Sequence, residues 1–114
     1  MNADDEVRLG HMLEAAREAL SFAEGRSRDD VRLNRMLLHS LVRNIEIIGE
    51  AASQISRELR DRSPGLPWTD VIGMRNRLVH AYFDIDPDIV WDTATQDLPP
   101  LVAELTKLLN KPEE

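Results

Sequence analysis

The fold is decided by residues 31–60, VRLNRMLLHSLVRNIEIIGEAASQISRELR. Apolar side chains recur in this segment every three or four residues, which is the spacing of one face of an α-helix. We expect the helix to begin just after the acidic pair Asp29–Asp30, which suits the positive end of a helix dipole, and to end near Arg60. The apolar stripe consists of Leu33, Leu37, Leu41, Ile48, Ala51, Ile55 and Leu59.

Helical spacing also runs through the rest of the chain, and aromatic or β-branched runs with the period of a strand are missing. Glycine and proline mark the breaks between helices, at Gly25 and over residues 63–67. The predicted class is all-α, an antiparallel bundle of four to five helices. The other predicted helices run from about Asp4 to Glu24, from Pro67 or Trp68 to about Phe83, from about Asp88 to Thr95 after a loop at residues 84–87, and from Leu98 or Pro99 to Leu109.

The length of 114 residues fits one domain with one core. We predict a single helical domain over residues 1–110 and a flexible tail over residues 111–114.

The chain has no cysteine, and its histidines form no ligand cluster, so we expect no metal and no cofactor. No apolar run approaches the roughly 18 residues that span a bilayer, and the N-terminus is acidic. We therefore expect a cytoplasmic protein with no membrane partner.

The net charge of −7 argues against a protein that coats nucleic acid nonspecifically, because such binding depends on cations that neutralise phosphates. Residues 26–77 nevertheless carry ten arginines and seven acids, so the middle of the chain is locally basic. Arginine suits bidentate contacts with phosphate. The alternative is that most of these arginines only solvate helix faces.

Arg75, Asn76, His80 and Tyr82 are the residues most suited to chemistry. On a helical wheel of residues 68–83, Arg75 falls on the centre line of the apolar face, where a guanidinium needs either a buried partner or an anionic ligand. Asn76 and His80 are one helical turn apart, and Tyr82 lies almost above Arg75. Imidazole can exchange protons near neutral pH, and arginine can stabilise charge on phosphorus. The set therefore suits phosphodiester cleavage.

The spacing of Arg75 and His80 is common among helices, so a purely structural interpretation stays open. In that interpretation His80 and Tyr82 are partly buried packing residues, and Arg75 pairs with Glu46 or Glu50 of the second helix. His11 and His39 are assigned no role.

Asn44 lies at the centre of the second helix's apolar stripe, and a buried amide needs partners. One hypothesis places Asn44 close to Arg75 and His80, whose side chains it would orient. A distance of more than about 8 Å from both would contradict this hypothesis, since hydrogen bonds join atoms about 3 Å apart. The alternative is a local hydrogen bond between Asn44 and Ser40.

A resemblance to a known family is carried by five segments: RNIEIIGEA at 43–51, LPW at 66–68, IGMRNRLVHAYF at 72–83, IVWDT at 89–93 and DLP at 97–99. With these motifs the chain resembles the HEPN superfamily, and within it the HepT-like toxins of bacterial toxin–antitoxin pairs. The likeness covers nearly the whole chain. Relatives often have glycine between the histidine and the tyrosine of the Arg-x4-His-x-Tyr motif, where this chain has Ala81.

The resemblance implies a homodimeric helical bundle with a composite site where the two Arg-x4-His segments meet. It also implies metal-independent endoribonuclease activity, in which a 2′-hydroxyl attacks, His80 exchanges protons and Arg75 contacts the scissile phosphate. Asn76 would orient His80 or the phosphate. Paired copies of Arg75, Arg77 and His80 would let an acidic chain bind RNA, with tRNA or mRNA rather than DNA as the substrate.

The resemblance further implies an MNT-type nucleotidyltransferase antitoxin, which would neutralise the toxin by adenylylating Tyr82. Two alternatives stay open. The chain could be a non-catalytic HEPN subunit that binds nucleotide or substrate for a nucleotidyltransferase, with Arg75 and His80 holding a phosphate. It could also be a purely structural dimer.

Overall fold

The predicted all-α class is confirmed by a computed structural model, which describes residues 1–81 and 84–110. The predicted tail at 111–114 lies outside the described residues. The elements in chain order are α1 (Ala3–Ala23), α2 (Arg28–Leu33), α3 (Arg35–Ser53), α4 (Arg57–Arg62), α5 (Trp68–Ile72), α6 (Met74–Leu78), β1 (Val79–Ala81), β2 (Asp84–Ile85), α7 (Pro87–Asp92), a π-helical segment (Thr93–Asp97) and α8 (Leu98–Asn110).

The core lies between α1 and α3. Helix α8 packs on α1, while α5 and α6 pack on α3. No helix in the described part of the chain is long and apolar enough to cross a membrane. The largest fully buried side chains are Leu9, Met12, Leu41, Ile45, Ile48, Leu78, Leu98 and Leu105.

Gly25 ends α1 as predicted. Its φ of +73° lies in the left-handed region, which side chains with a Cβ rarely adopt. Ser27 then starts α2, since its side chain accepts from the Asp30 amide while the Asp30 side chain accepts from the Ser27 amide. The turn between the first two helices is therefore set by local sequence.

The single long helix predicted to run from just after Asp29–Asp30 to about Arg60 is wrong, because the segment forms three helices. The first break is at Asn34, whose backbone is extended and whose side chain accepts from the amide of Leu37 at 3.1 Å. The backbone amide of Leu37 has no partner within α3, and the Asn34 side chain gives it one. This hydrogen bond favours a break at Asn34 over a continuous helix. Leu33 consequently leaves the predicted apolar stripe and is exposed.

The second break, between Ser53 and Arg57, is held by a partner far away in the sequence. Asp5 of α1 is buried and accepts hydrogen bonds from the backbone amide and the hydroxyl of Ser56, at 2.9 and 2.6 Å. The Ser56 hydroxyl oxygen also accepts from the amide of Leu59 and so caps α4. The start of α1 is thereby tied to the junction of α3 and α4.

The third helix begins at Trp68 as predicted but does not reach Phe83. It breaks at Gly73, and α6 ends at Leu78. Residues 79–81 and 84–85 instead pair as antiparallel strands, although the sequence predicts none. The amide of Asp86 donates to the Leu78 carbonyl at 2.8 Å, so pairing with a later segment replaces helical hydrogen bonds.

The short helix predicted over Asp88–Thr95 starts near its expected place, since Asp86 caps α7 through the amides of Asp88 and Ile89. It ends early, and a π-helical segment follows in which the Leu98 amide donates to the Thr93 carbonyl. Two prolines at 99 and 100 offer no amide and crowd the preceding turn, which accounts for the wider helix there. Helix α8 then begins at Leu98, as predicted.

Gly49 sets the distance between α3 and α5. A Cβ at this position would lie 3.2 Å from the carbonyl oxygen of Ile72 and 3.5 Å from that of Val71. Both neighbours are backbone atoms, which cannot rotate aside as a side chain can. Glycine therefore allows α5 and the following α6 to lie close against α3.

An ion-pair cluster joins α2 to α7. Asp88 accepts from the Nη2 and Nε atoms of Arg32, at 2.7 and 3.1 Å, and from Nη1 of Arg28 at 3.2 Å. Nη2 of Arg28 also donates to Asp92 at 2.6 Å. The cluster holds the helix that follows the β-hairpin.

We predict opposite stability effects for alanine at two helical glycines. Gly10→Ala should stabilise the protein by about 0.5–1 kcal/mol, because alanine favours helix and the new methyl would meet nothing within 4 Å. Gly49→Ala gains the same propensity but should be destabilising by about 1 kcal/mol net, because it crowds the α5 backbone. Denaturant unfolding would measure both, and a Gly49→Ala protein as stable as Gly10→Ala would contradict the close contact.

We also predict that Asp88→Asn removes a pH-dependent contribution to stability. Hydrogen bonds from Arg32, and then from Arg28, hold the pKa of the Asp88 carboxyl below its ordinary value of 3.8. Since the folded-state pKa is the lower one, this stabilisation is complete above about pH 4 and is lost as the pH falls through the folded-state pKa.

Thermal unfolding of wild type and Asp88→Asn between about pH 7 and pH 2 tests this prediction. The difference in Tm should be constant near neutrality, shrink in acid, and be smaller in about 1 M salt because the Asp88 side chain is 46% exposed. Asp61→Asn, which removes an exposed carboxylate on α4, is the matched control. A difference that persists unchanged in acid would argue against the ion pairs.

Candidate active site

Arg75 lies on α6, beside α3. Its Nε atom is 3.9 Å from Oε1 of Glu46, one of the two acids considered as partners from the sequence. The Arg75 side chain is 45% exposed, so the expectation that it sits in the middle of a buried apolar face is wrong. A 3.9 Å distance is too long for a hydrogen bond, and such an exposed pair is weak. The guanidinium is therefore accessible to a ligand.

An open groove of about 410 Å³ surrounds Arg75. Within one chain this groove carries two carboxylates and one guanidinium, so it is a poor phosphate site by itself. The residues that line it are Glu46, Gly49, Glu50 and Ser53 of α3, Ile72 of α5, and Arg75 and Asn76 of α6.

His80 lies on β1 rather than on a helix, which corrects the wheel on which Asn76 and His80 were one turn apart. Val79 pairs with Ile85 and Ala81 pairs with Asp84, so β1 has one extra residue, His80, at a shift of register. His80 is exposed. A bulge bends a strand and re-aims its side chain, and bulges are common next to active sites.

Arg77 points to another part of the surface. Its Nη2 atom lies 3.5 Å from the carbonyl oxygen of Asp70, and it lines a cavity beside Pro67 and Glu104. Within one chain the structure therefore separates Arg77 from Arg75.

Asn44 is buried, at 4% exposure, but it does not line the Arg75 groove. It lies in a groove beside Glu18 and Phe22 of α1. Asn44 is two residues from Glu46, about 200° around the helix, so the two face different neighbours. Asn44 also makes no hydrogen bond to Ser40 or to any other described residue.

Sequence comparison identifies the family. The profile described as "Ribonuclease HepT-like" matches residues 12–108, which is most of the chain. The chain belongs to the HepT-like ribonuclease family. This confirms the resemblance drawn from the motifs.

Three relatives show how far the likeness to HepT-like proteins extends. "Putative RNase MJ1380" of Methanocaldococcus jannaschii is 33% identical over 85% of this chain and 89% of its own. "Putative RNase TTE0752" of Caldanaerobacter subterraneus is 32% identical over 90% and 92%. "Probable ribonuclease HepT" of Thermococcus cleftensis is 33% identical over 84% and 91%. No solved structure matches the chain.

In this HepT-like chain Glu46 is a site residue that the sequence predicts only as an alternative partner of Arg75. It contacts two arginines, because its Oε2 atom is also 3.9 Å from Nη1 of Arg43. A signal was available: Glu46 and Gly49 are three residues apart and share a helix face, and glycine marks the face that another helix approaches.

Two further predictions about the HepT-like site concern Tyr82 and metal ions. Tyr82 lies outside the described residues, so its expected place above Arg75 stays a prediction. Within residues 1–81 and 84–110, no group of three or more His, Asp or Glu side chains is placed to hold a metal ion.

Proposed function

We propose that this HepT-like ribonuclease cuts RNA without a metal ion, at a site completed by a second copy of the chain. The observation that carries the proposal is that Arg75 and His80, five residues apart on the consecutive elements α6 and β1, both have exposed side chains. A loosely paired guanidinium and an imidazole on a bulge suit phosphate binding and proton transfer.

The reaction is an attack by the RNA's own 2′-hydroxyl oxygen on the adjacent phosphorus. A base takes the hydroxyl proton, the bond from phosphorus to the 5′-oxygen breaks, and an acid gives that oxygen a proton. His80 exchanges these protons. Arg75 stabilises the extra negative charge on phosphorus, and Asn76 orients His80 or the phosphate.

The dimer is proposed from the number of proton carriers, because cleavage needs both an acid and a base. A homodimer would add a second Arg75 and a second His80, which would supply both an acid and a base. Arg77 and Asn44 belong to other surfaces of the same chain, and they would join the site only if the second copy brings them there.

The proposed role is that of a cytoplasmic toxin whose substrate is tRNA or mRNA. Its proposed antitoxin is an MNT-type nucleotidyltransferase that adenylylates Tyr82. Tyr82 is two residues beyond His80, so an added AMP would place a phosphate and a base beside the catalytic side chains. The anionic group would compete with substrate phosphate for Arg75.

We predict that Arg75→Ala and His80→Ala each lower the rate of RNA cleavage by about 10²-fold or more, because each removes charge stabilisation or proton transfer. Purified protein and total RNA, with and without EDTA, provide the assay. Matched controls are Arg57→Ala on α4 and His11→Ala on α1, which remove the same side chains elsewhere and should cleave like wild type.

Equal cleavage by wild type and both site variants would falsify the nuclease proposal. RNA or nucleotide binding that survives without any cleavage would favour the non-catalytic binding subunit instead. Loss of cleavage in EDTA would contradict the metal-independent mechanism.

We further predict that Tyr82→Phe blocks neutralisation without blocking cleavage. Incubation with the nucleotidyltransferase and ATP should raise the intact mass of the wild type by one AMP and abolish its cleavage. Phenylalanine has no hydroxyl to modify, so the variant should keep both its mass and its activity. Adenylylation of Tyr82→Phe would contradict the assignment of Tyr82.

A further inference from the structure

A second open groove, of about 550 Å³, lies between α1 and α3 on the other side of α3 from Arg75. Phe22 of α1 and Met36 and Ile47 of α3 form its apolar walls, and buried Asn44 lies against it. Nothing in the proposed cleavage mechanism uses this groove. Its chemistry therefore needs a separate explanation.

The carboxamide of Asn44 is available to a ligand in this groove. The residue is 4% exposed and makes no hydrogen bond to any other described residue, but its amide atoms are not among the buried side-chain atoms that lack a partner, so they reach the open groove. A ligand that enters the groove can therefore exchange water for hydrogen bonds with this amide. Because a carboxamide offers both donors and an acceptor, its best partner presents both, as the edge of a nucleobase does.

The walls of the groove suit a flat ring. Phe22 is accessible, and Met36 is 82% exposed, which is unusual for a large apolar side chain. Nucleobases stack on aromatic side chains, and the flexible, polarisable thioether of methionine also packs well against rings. A base placed between these side chains would cover apolar surface that is now in contact with water.

The charge around the groove favours an anion. Two arginines, Arg35 and Arg43, line it, with Glu18 as the one acid among its lining residues. Nη2 of Arg35 lies 3.1 Å from Nε2 of His39, so these two groups are close together. A surplus of cations on a chain of net charge −7 fits an occupant that carries phosphates.

We propose that this groove binds an unpaired nucleotide of single-stranded RNA. Phe22 and Met36 stack on the base, Asn44 pairs with its edge, and Arg35 and Arg43 contact the flanking phosphates. The proposal rests on the proposed function in that its ligand is RNA, but it concerns a surface separate from the Arg75 groove. A second copy of the chain fits less well, because two copies of this groove that face each other would bring their arginines together.

The test is binding of labelled single-stranded 2′-O-methyl RNA, which has no free 2′-hydroxyl and therefore cannot be cleaved by the proposed mechanism. Asn44→Leu replaces the amide by an apolar group of similar size. It should raise the Kd by about three- to tenfold while leaving the Tm equal or higher, since the amide has no partner to lose in the protein. A strand without bases should be bound equally by wild type and variant.

Arg35→Gln should weaken binding and lower the slope of log Kd against log salt by about one. Arg57→Gln on α4 removes the same charge away from the groove and is the matched control. An unchanged Kd for Asn44→Leu overturns the proposal, as does a changed oligomeric state with unchanged RNA binding, which would indicate a protein interface. A wild type that binds none of these RNAs overturns it too.

The two proposals fail separately. Normal cleavage with unaffected binding by Asn44→Leu rejects the groove alone. If the wild type cuts no RNA but Asn44→Leu still weakens RNA binding, the nuclease proposal is rejected. The groove then remains as an RNA-binding surface.

Discussion

The close contact at Gly49 is the constraint on which the candidate active site depends. The carbonyl groups of Val71 and Ile72 approach α3 where a side chain would otherwise stand. Glu46 lies three residues earlier on the same face, so the approach that brings α5 against Gly49 also brings Arg75 to Glu46. A wider spacing of these helices would move the guanidinium away from the groove.

The other half of the site depends on where α6 ends. Because the chain turns into β1 after Leu78, His80 leaves the helix and comes to lie at the register shift of a hairpin. The hairpin is in turn attached to the rest of the fold: the Asp86 amide bonds to the Leu78 carbonyl, and Arg28 and Arg32 hold Asp88 just beyond it. The position of His80 therefore depends on α2, more than 40 residues earlier in the chain.

What could be predicted from the sequence was what local chemistry determines. The helical class and the helix boundaries at Gly25, Trp68 and Leu98 depend on periodicity, glycine and proline, all visible in the sequence. The break at Ser56 depends on Asp5 and the end of α6 on β2, and periodicity shows neither partner. A helical wheel likewise gave the burial of Asn44 correctly but not the helix that it faces.

The two grooves share α3, and Arg43 connects them. Arg43 lines the Asn44 groove and lies 3.9 Å from Glu46, which lies 3.9 Å from Arg75 on its other side. Both contacts join an exposed arginine to the partly exposed Glu46 at distances beyond a hydrogen bond, so each is weak. RNA that engages Arg43 would release Glu46 to Arg75, whereas phosphate at Arg75 would release it to Arg43. If both grooves bind RNA as proposed, this carboxylate would couple their occupancy.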